Sequence, residues 1–274
     1  MPLSALLLAL AAAVVHATWN LLLSGTEDTH SASAVLLVVG TLVFAPVAAA
    51  GWRFQSAAIP YVAASGGLET LYLALLATAY SVAAMSFVYP IARGSAPVLV
   101  LVVGALATGA RVSAPAAIGV VLVATGIVLV RGLRGAGRPR DMALALSVGT
   151  CIAGYTLVDK HGITHANPLA YLEVVFGLVA IVYVLGIWRV RGAAALRAAV
   201  TPRTLVAGVG FYGSYALVLL ALRLAPAASV AAVRESSVVM AAAVLAVGGR
   251  EHLGPARFLG AVAVVAGIAL ISLG

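Results

Sequence analysis

Few residues in this chain can carry charge chemistry, and most of them interrupt long apolar runs. Glu69, Arg93, Glu173 and the adjacent pair Arg234 and Glu235 are flanked on both sides by aliphatic sequence. At the centre of a lipid-embedded helix such a group costs about 2.5 kcal/mol or more, so it faces a cavity or a partner. Glu69 and Tyr72 fall one turn apart on one helical face. A carboxylate there suits a proton or a cation; the alternative is a fixed ion pair with Arg93. Arg93 follows Tyr89 by one turn, in a stretch holding Pro90 and Pro97 that would bend a helix. Its planar fork of donors could clamp a carboxylate, or the side chain could snorkel to the interface. Arg234 and Glu235 point about 100° apart on a helix. One could face a cavity while the other pairs across an interface, or both could anchor at the headgroups.

Three more groups have chemistry to offer. His16, Trp19 and Asn20 share a face at i, i+3 and i+4. They present a group that titrates near neutrality, an aromatic wall and an amide donor. The plainer reading is polar contact between helices, with Trp19 in the headgroup belt. Tyr72, Tyr155, Tyr212 and Tyr215 each pair an apolar ring with a donor, which serves a cavity wall or ordinary packing. Glu173 could line a cavity or lie among the headgroups. Asp159, Lys160 and His161 read as an interfacial cluster. No His-Glu-x-x-His zinc motif or Gly-x-Ser-x-Gly elbow occurs, and no Walker A loop, so neither hydrolytic chemistry nor direct ATP use is indicated. No cofactor or metal is expected. The single Cys151 excludes an intrachain disulfide.

The elements that must position these residues are membrane helices. The 274 residues are 64% hydrophobic and 9% charged, with a mean hydropathy of +1.15, which is too little charge to clothe a soluble surface. Ten apolar stretches stand out, at 3–23, 32–50, 59–79, 84–108, 114–131, 142–158, 168–188, 204–222, 228–247 and 256–273. Each is near the ~20 residues that cross a ~30 Å hydrocarbon core. Lipid satisfies no backbone polar group, so each must be helical. The first run resembles a signal peptide but lacks a basic start, and reads as the first helix. The net charge of +8 is scattered through short loops with no continuous basic face, so nucleic acid is not indicated.

Ten crossings put both termini on one side. That side collects Arg53, Arg111, Lys160 and Arg223, against ten arginines opposite: Arg131, Arg134, Arg138, Arg140, Arg189, Arg191, Arg197, Arg203, Arg250 and Arg257. The positive-inside rule places the termini outside.

The second half repeats the first. Residues 119–130 return as 260–271, and the polar joint 109–115 returns as 249–255. The module is five spans, an odd number, so its second copy enters the membrane upside down. This gives an all-α membrane fold of ten transmembrane helices in two inverted five-helix repeats, 1–131 and 141–274, joined by a basic linker at 132–140. Such pairs have two near-equivalent conformations, open to opposite sides, with a site near the midplane. Glycines spaced by seven, Gly119 with Gly126 and Gly260 with Gly267, mark a flat stripe on spans 5 and 10. It suits packing within the bundle or a dimer surface.

Several of these segments resemble the EamA domain of the drug/metabolite transporter superfamily. The resemblance rests on His16-Ala-Thr-Trp-Asn20, on Ala79-Tyr80 followed by residues 86–97 (Ser-Phe-Val-Tyr-Pro-Ile-Ala-Arg-Gly-Ser-Ala-Pro), on residues 155–160, and on Gly249-Arg250-Glu251. It implies ten helices in two EamA repeats and secondary transport, often efflux, of small metabolites such as amino acids. The sequence departs from the pattern at Arg111, where members often carry Glu. Members more commonly keep both termini in the cytoplasm, against the arginine count.

The expectation is thus a multi-pass protein of the inner or plasma membrane, monomeric or homodimeric. Its partners are the bilayer, a small-molecule substrate and a possible coupling proton, with His16, Trp19, Asn20, Glu69, Tyr72, Tyr89, Arg93, Tyr155, Tyr212, Tyr215, Arg234 and Glu235 along the path. The rivals are a non-transporting scaffold or biogenesis partner and a passive channel, for which no ring of like charges is visible. The orientation is testable with single cysteines at Gln55 and Ala136. An impermeant thiol reagent applied from outside should label Gln55→Cys alone, and selective labelling of Ala136→Cys would reverse the assignment.

Overall fold

The computed structural model describes every residue except 24, 25, 27, 84, 110, 132–137, 248–253 and 274. Eleven α-helices are present among the described residues: α1 Leu3–Leu23, α2 Thr29–Ala50, α3 Ile59–Val82, α4 Met85–Thr108, α5 Ala114–Arg131, α6 Pro139–Gly162, α7 Pro168–Ala198, α8 Pro202–Leu224, α9 Ala227–Arg234, α10 Ser237–Val247 and α11 Pro255–Leu273. The fold is all-α and its apolar passes follow the expected order. Six stretches, in α1, α2, α3, α6, α7 and α8, are long and apolar enough to cross a membrane; α4, α5 and α11 carry shorter apolar stretches. The ninth pass is α9 together with α10. Most of the linker expected at 132–140 and the Gly249-Arg250-Glu251 signature lie outside the described residues.

The helix starts are written locally. Pro139, Pro168, Pro202 and Pro255 are first residues of their helices, where a missing N–H costs nothing and φ is already helical. Asn167 caps α7 by accepting from Leu169 N at 3.0 Å, and Thr201 caps α8 by accepting from Thr204 N at 3.2 Å.

Two elements differ from expectation. The seventh pass continues beyond 188 because Gly192, at φ 81°, redirects the chain into a short helical extension ending at Ala198. Only glycine takes that backbone conformation at no steric cost. The ninth pass, expected continuous, breaks at Glu235 and Ser236, while α4 runs unbroken through Pro90 and Pro97. At the break Glu235 N donates to the Ala231 and Ala232 carbonyls, and Ser236 N donates to Val233 O at 3.1 Å. The last turn of α9 tightens and stops. Pro226 starts α9 but no proline ends it.

The packing repeats when the halves are exchanged. α1 lies on α8 as α6 lies on α3, α2 lies on α7, and α5 lies on α11. The last pair shows why the glycines recur at seven-residue spacing. A methyl group on Gly119 would stand 2.6 Å from Gly267 O, and one on Gly126 would stand 2.6 Å from Gly260 O. The two backbones approach as closely as they do because no side chain intervenes. The stripe on α11 is therefore spent inside the chain, against α5.

Candidate functional site

The α1–α8 and α3–α6 contacts bring aromatic and charged side chains of both halves to one place. Starting at Tyr215 on α8, its ring stacks on Phe176 of α7 with centroids 5.6 Å apart, and Phe176 stacks on Phe211 at 5.1 Å. Phe211 meets Trp19 of α1 edge-on at 5.3 Å, and Trp19 meets His16 edge-on at 4.9 Å. His16 Nε2 lies 3.2 Å from an Arg93 nitrogen on α4, and Arg93 pairs with Glu235 at 3.1 Å. Next to Glu235, the Arg234 guanidinium sits 5.6 Å from the centroid of the Tyr215 ring, which closes the circuit. Tyr155 of α6 packs edge-on to Tyr215 at 5.9 Å and to Tyr72 of α3 at 6.1 Å, extending the wall. Tyr89 lies under Arg93 with its centroid 5.5 Å away. Eleven of the twelve expected path residues therefore fall in or directly against this circuit, once Tyr212 is counted by its edge-on contact with Phe176 at 5.7 Å and Glu69 by its electrostatic interaction with Arg93 and Arg234.

The charges inside divide into paired and unpaired. Arg93 and Glu235 form an ion pair between the halves, with both side chains under a tenth exposed. Neither the snorkelling reading of Arg93 nor its pairing with Glu69 holds, because Glu235 arrives from the helix break. Removing one member of such a pair strands the other in low dielectric, which costs about 3–5 kcal/mol. A guanidinium only donates, so His16 Nε2 is the acceptor and its imidazole is neutral, with the proton on Nδ1. Glu69 and Arg234, 7% and 8% exposed, have no ion-pair partner among the described residues.

Asp159 corrects the sequence reading. Expected at the interface, it is fully buried and accepts from Tyr171 Oη at 2.8 Å and from Tyr215 Oη. Its neighbours behave otherwise. Lys160 turns to the carbonyls of Leu222 and Ala225 at the end of α8, and His161 is exposed. Asp159 also acts electrostatically on Glu69. Four buried polar atoms lack hydrogen-bond partners among the described residues: Trp19 Nε1, Ser65 Oγ, Glu235 Oε2 and Ser236 Oγ. Unmet donors and acceptors of this kind are costly unless something polar visits them.

Asn20 stands aside, and Tyr212 touches the circuit through its ring alone, edge-on to Phe176 at 5.7 Å. Asn20 spends its amide on the His16 carbonyl one turn back, at 2.8 Å. Tyr212 turns its hydroxyl to Glu173 at 2.8 Å and stacks on Phe44 at 4.5 Å. Glu173 is thus tied to α8, half-buried. Phe176 and Phe211, central to the circuit, carried no signal, since a phenylalanine in an apolar run looks like any core residue.

Contacts link the halves on both faces of the bundle. On the terminus side, segments 52–55 and 163–167 form an antiparallel bridge at Phe54 and Ala166. Gln55 N donates to His165 O at 3.0 Å and Asn167 N donates to Arg53 O at 2.7 Å. On the opposite side, Arg191, just before the Gly192 turn, pairs with Asp28 at 2.6 Å, and His30 Nδ1 lies 3.1 Å from Tyr183 Oη. Partial burial pushes the Asp28 carboxyl up, but hydrogen bonds from Ser31 and Arg191 outweigh it and hold the group below its ordinary value. A depressed acid supports the folded contact above the ordinary carboxylate range and releases it as pH falls through that range. One face is linked by backbone, the other by side chains that salt and acid weaken.

The model of the EamA-like transporter family matches residues 140–273. Among 28 matching solved chains, a crystal structure described only as that of a protein superposes with a TM-score of 0.77 at 19% identity, over 98% of this chain and 98% of that one. At that identity the likeness speaks for the fold. No curated protein matches the chain.

The ion pair is open to a double-mutant cycle. Arg93→Gln and Glu235→Gln should each lower stability in detergent by about 3 kcal/mol or more, and the double variant should lose much less than the sum. Additive losses, measured by reversible denaturant unfolding, would mean the two side chains do not meet.

Proposed function

We propose, from the match of residues 140–273 to the EamA-like transporter family, that the chain is a secondary transporter of a small zwitterionic metabolite such as an amino acid. It works by alternating access in the inner or plasma membrane, as a proton-coupled exporter. The observation that carries this reading is the pair of buried, unpartnered opposite charges, Glu69 and Arg234. A zwitterion supplies the partner each lacks: its carboxylate meets the Arg234 fork, and its ammonium meets Glu69. The Tyr72, Tyr155 and Tyr215 rings provide apolar surface for the remainder of the molecule.

The charge balance supports coupling to one proton. Two guanidiniums, Arg93 and Arg234, face three carboxylates, Glu69, Asp159 and Glu235. Fully ionised, the cluster carries one net negative charge, which one proton cancels. His16 accepts from Arg93 and is occupied, so Glu69 is the carrier. Glu69 then holds either a proton or the substrate ammonium. Competition of that kind couples inward proton movement to outward substrate movement, which is export. Opening alternates between the backbone latch on one face and the Asp28–Arg191 contact on the other.

The runner-up is a non-transporting scaffold, favoured by the dense aromatic fill of the interior. The two unsatisfied charges weigh against it, since a finished scaffold has no use for them. Comparing metabolites in cells with and without the protein identifies the cargo, and proteoliposomes then measure its flux. An imposed pH gradient should drive wild-type flux. Glu69→Gln should abolish the response to the gradient and weaken substrate binding about tenfold to a hundredfold, the loss of one charge-assisted hydrogen bond. Gradient-driven flux that persists undiminished in Glu69→Gln would remove the proton assignment.

A further inference from the structure

We propose that a cavity beside the terminus-side latch is a phosphate site, occupied by the headgroup of a membrane lipid. The cavity measures about 170 Å³ and is lined from both halves: Arg53 and Gln55 before α3, Thr164, His165 and Asn167 before α7, and Arg223 at the end of α8. No acidic side chain lines it. Arg53 and Arg223 are exposed and have no ion-pair partner among the described residues. Two guanidinium forks with amide and imidazole donors between them match the oxygens of a phosphate, which takes paired, charge-assisted hydrogen bonds.

The surroundings reinforce the sign. Asn167 caps α7, so the positive end of that helix borders the cavity. The negative end of α8 is covered, because Lys160 donates to Leu222 O and Ala225 O. Depth identifies the source of the phosphate. Trp52, next to Arg53, is 50% exposed and stacks on Phe54 with centroids 6.1 Å apart. Exposed tryptophans in membrane proteins sit at the headgroup level, where lipid phosphates are the abundant anion. A phosphate held by Arg53 and Arg223 spans the two halves across the Phe54–Ala166 bridge. It binds the closed latch and not the open one, and so stabilises the closed face by mass action. This site is separate from the midplane cluster and stands whether or not the chain transports a zwitterion.

The test uses the full chain in neutral detergent, with thermal unfolding as the readout. Short-chain phosphatidylglycerol and phosphatidylcholine are compared at equal concentration, and sodium phosphate is compared with sodium chloride at equal ionic strength. Phosphatidylglycerol should raise the midpoint by several degrees more than phosphatidylcholine. Arg53→Gln with Arg223→Gln should erase that difference, whereas Arg203→Gln, an exposed arginine on the other face, should keep it. An equal, variant-sensitive rise with inorganic phosphate would uphold the phosphate site and overturn its lipid source. No rise with either probe, or a rise that survives the double substitution, would overturn the site. Should the double variant fail to fold, native mass spectrometry of Arg223→Gln decides: fewer retained phosphatidylglycerol adducts than wild type support the site, and equal numbers overturn it.

Discussion

A charge inside a bilayer must find a partner, and here Arg93 finds Glu235 across the boundary between the two halves. That ion pair is the interaction on which the interior depends. Glu235 reaches Arg93 because the ninth pass breaks between α9 and α10, and Arg93 positions His16 as a neutral acceptor. His16 in turn braces Trp19, and the aromatic chain runs on through Phe211 and Phe176 to Tyr215. With one guanidinium satisfied in this way, the second, Arg234, is left over beside an equally unpartnered Glu69. The structural pair and the available pair are made by adjacent residues of one broken helix.

The halves agree in scaffold and differ in charge. α5 meets α11 through matched glycines, and α1–α8 mirrors α6–α3. The chemistry is mirrored only in part: Arg93 and Arg234 occupy corresponding passes and each lies over a tyrosine ring, but among the described residues only Arg93 has a carboxylate partner. The faces differ as well. A backbone bridge between segments 52–55 and 163–167 links the halves on one, and the Asp28–Arg191 contact links them on the other. Two links of unlike strength on a symmetric frame bias which side opens first.

Much of the fold was legible in the residues because lipid permits so little. Apolar run length marked the passes, and the glycine spacing marked the close contact of α5 with α11. The site was legible in kind more than in arrangement. Ionisable residues in apolar runs pointed to Glu69, Arg93, Arg234 and Glu235, yet which carboxylate Arg93 meets is decided by tertiary packing, and Glu69 was the nearer candidate in sequence. Asp159 was misplaced because Lys160 and His161 beside it suggested an interface. The break at Glu235 was hidden because no proline or glycine marks it, whereas α4 continues as one helix through Pro90 and Pro97. The latch was unreadable, since two short polar loops more than a hundred positions apart give no sign that they pair.

The account stands on the latch opening in every cycle, and a reversible lock tests that most directly. Bridge partners in antiparallel segments lie at Cα separations of about 4.5–5.5 Å, within disulfide range. With Cys151 replaced by Ser, the Phe54→Cys and Ala166→Cys pair can be oxidised and reduced in proteoliposomes while substrate flux is followed. Alternating access predicts that oxidation stops flux and that reduction restores it. Flux that continues at the same rate through the oxidised, fully cross-linked protein would contradict it.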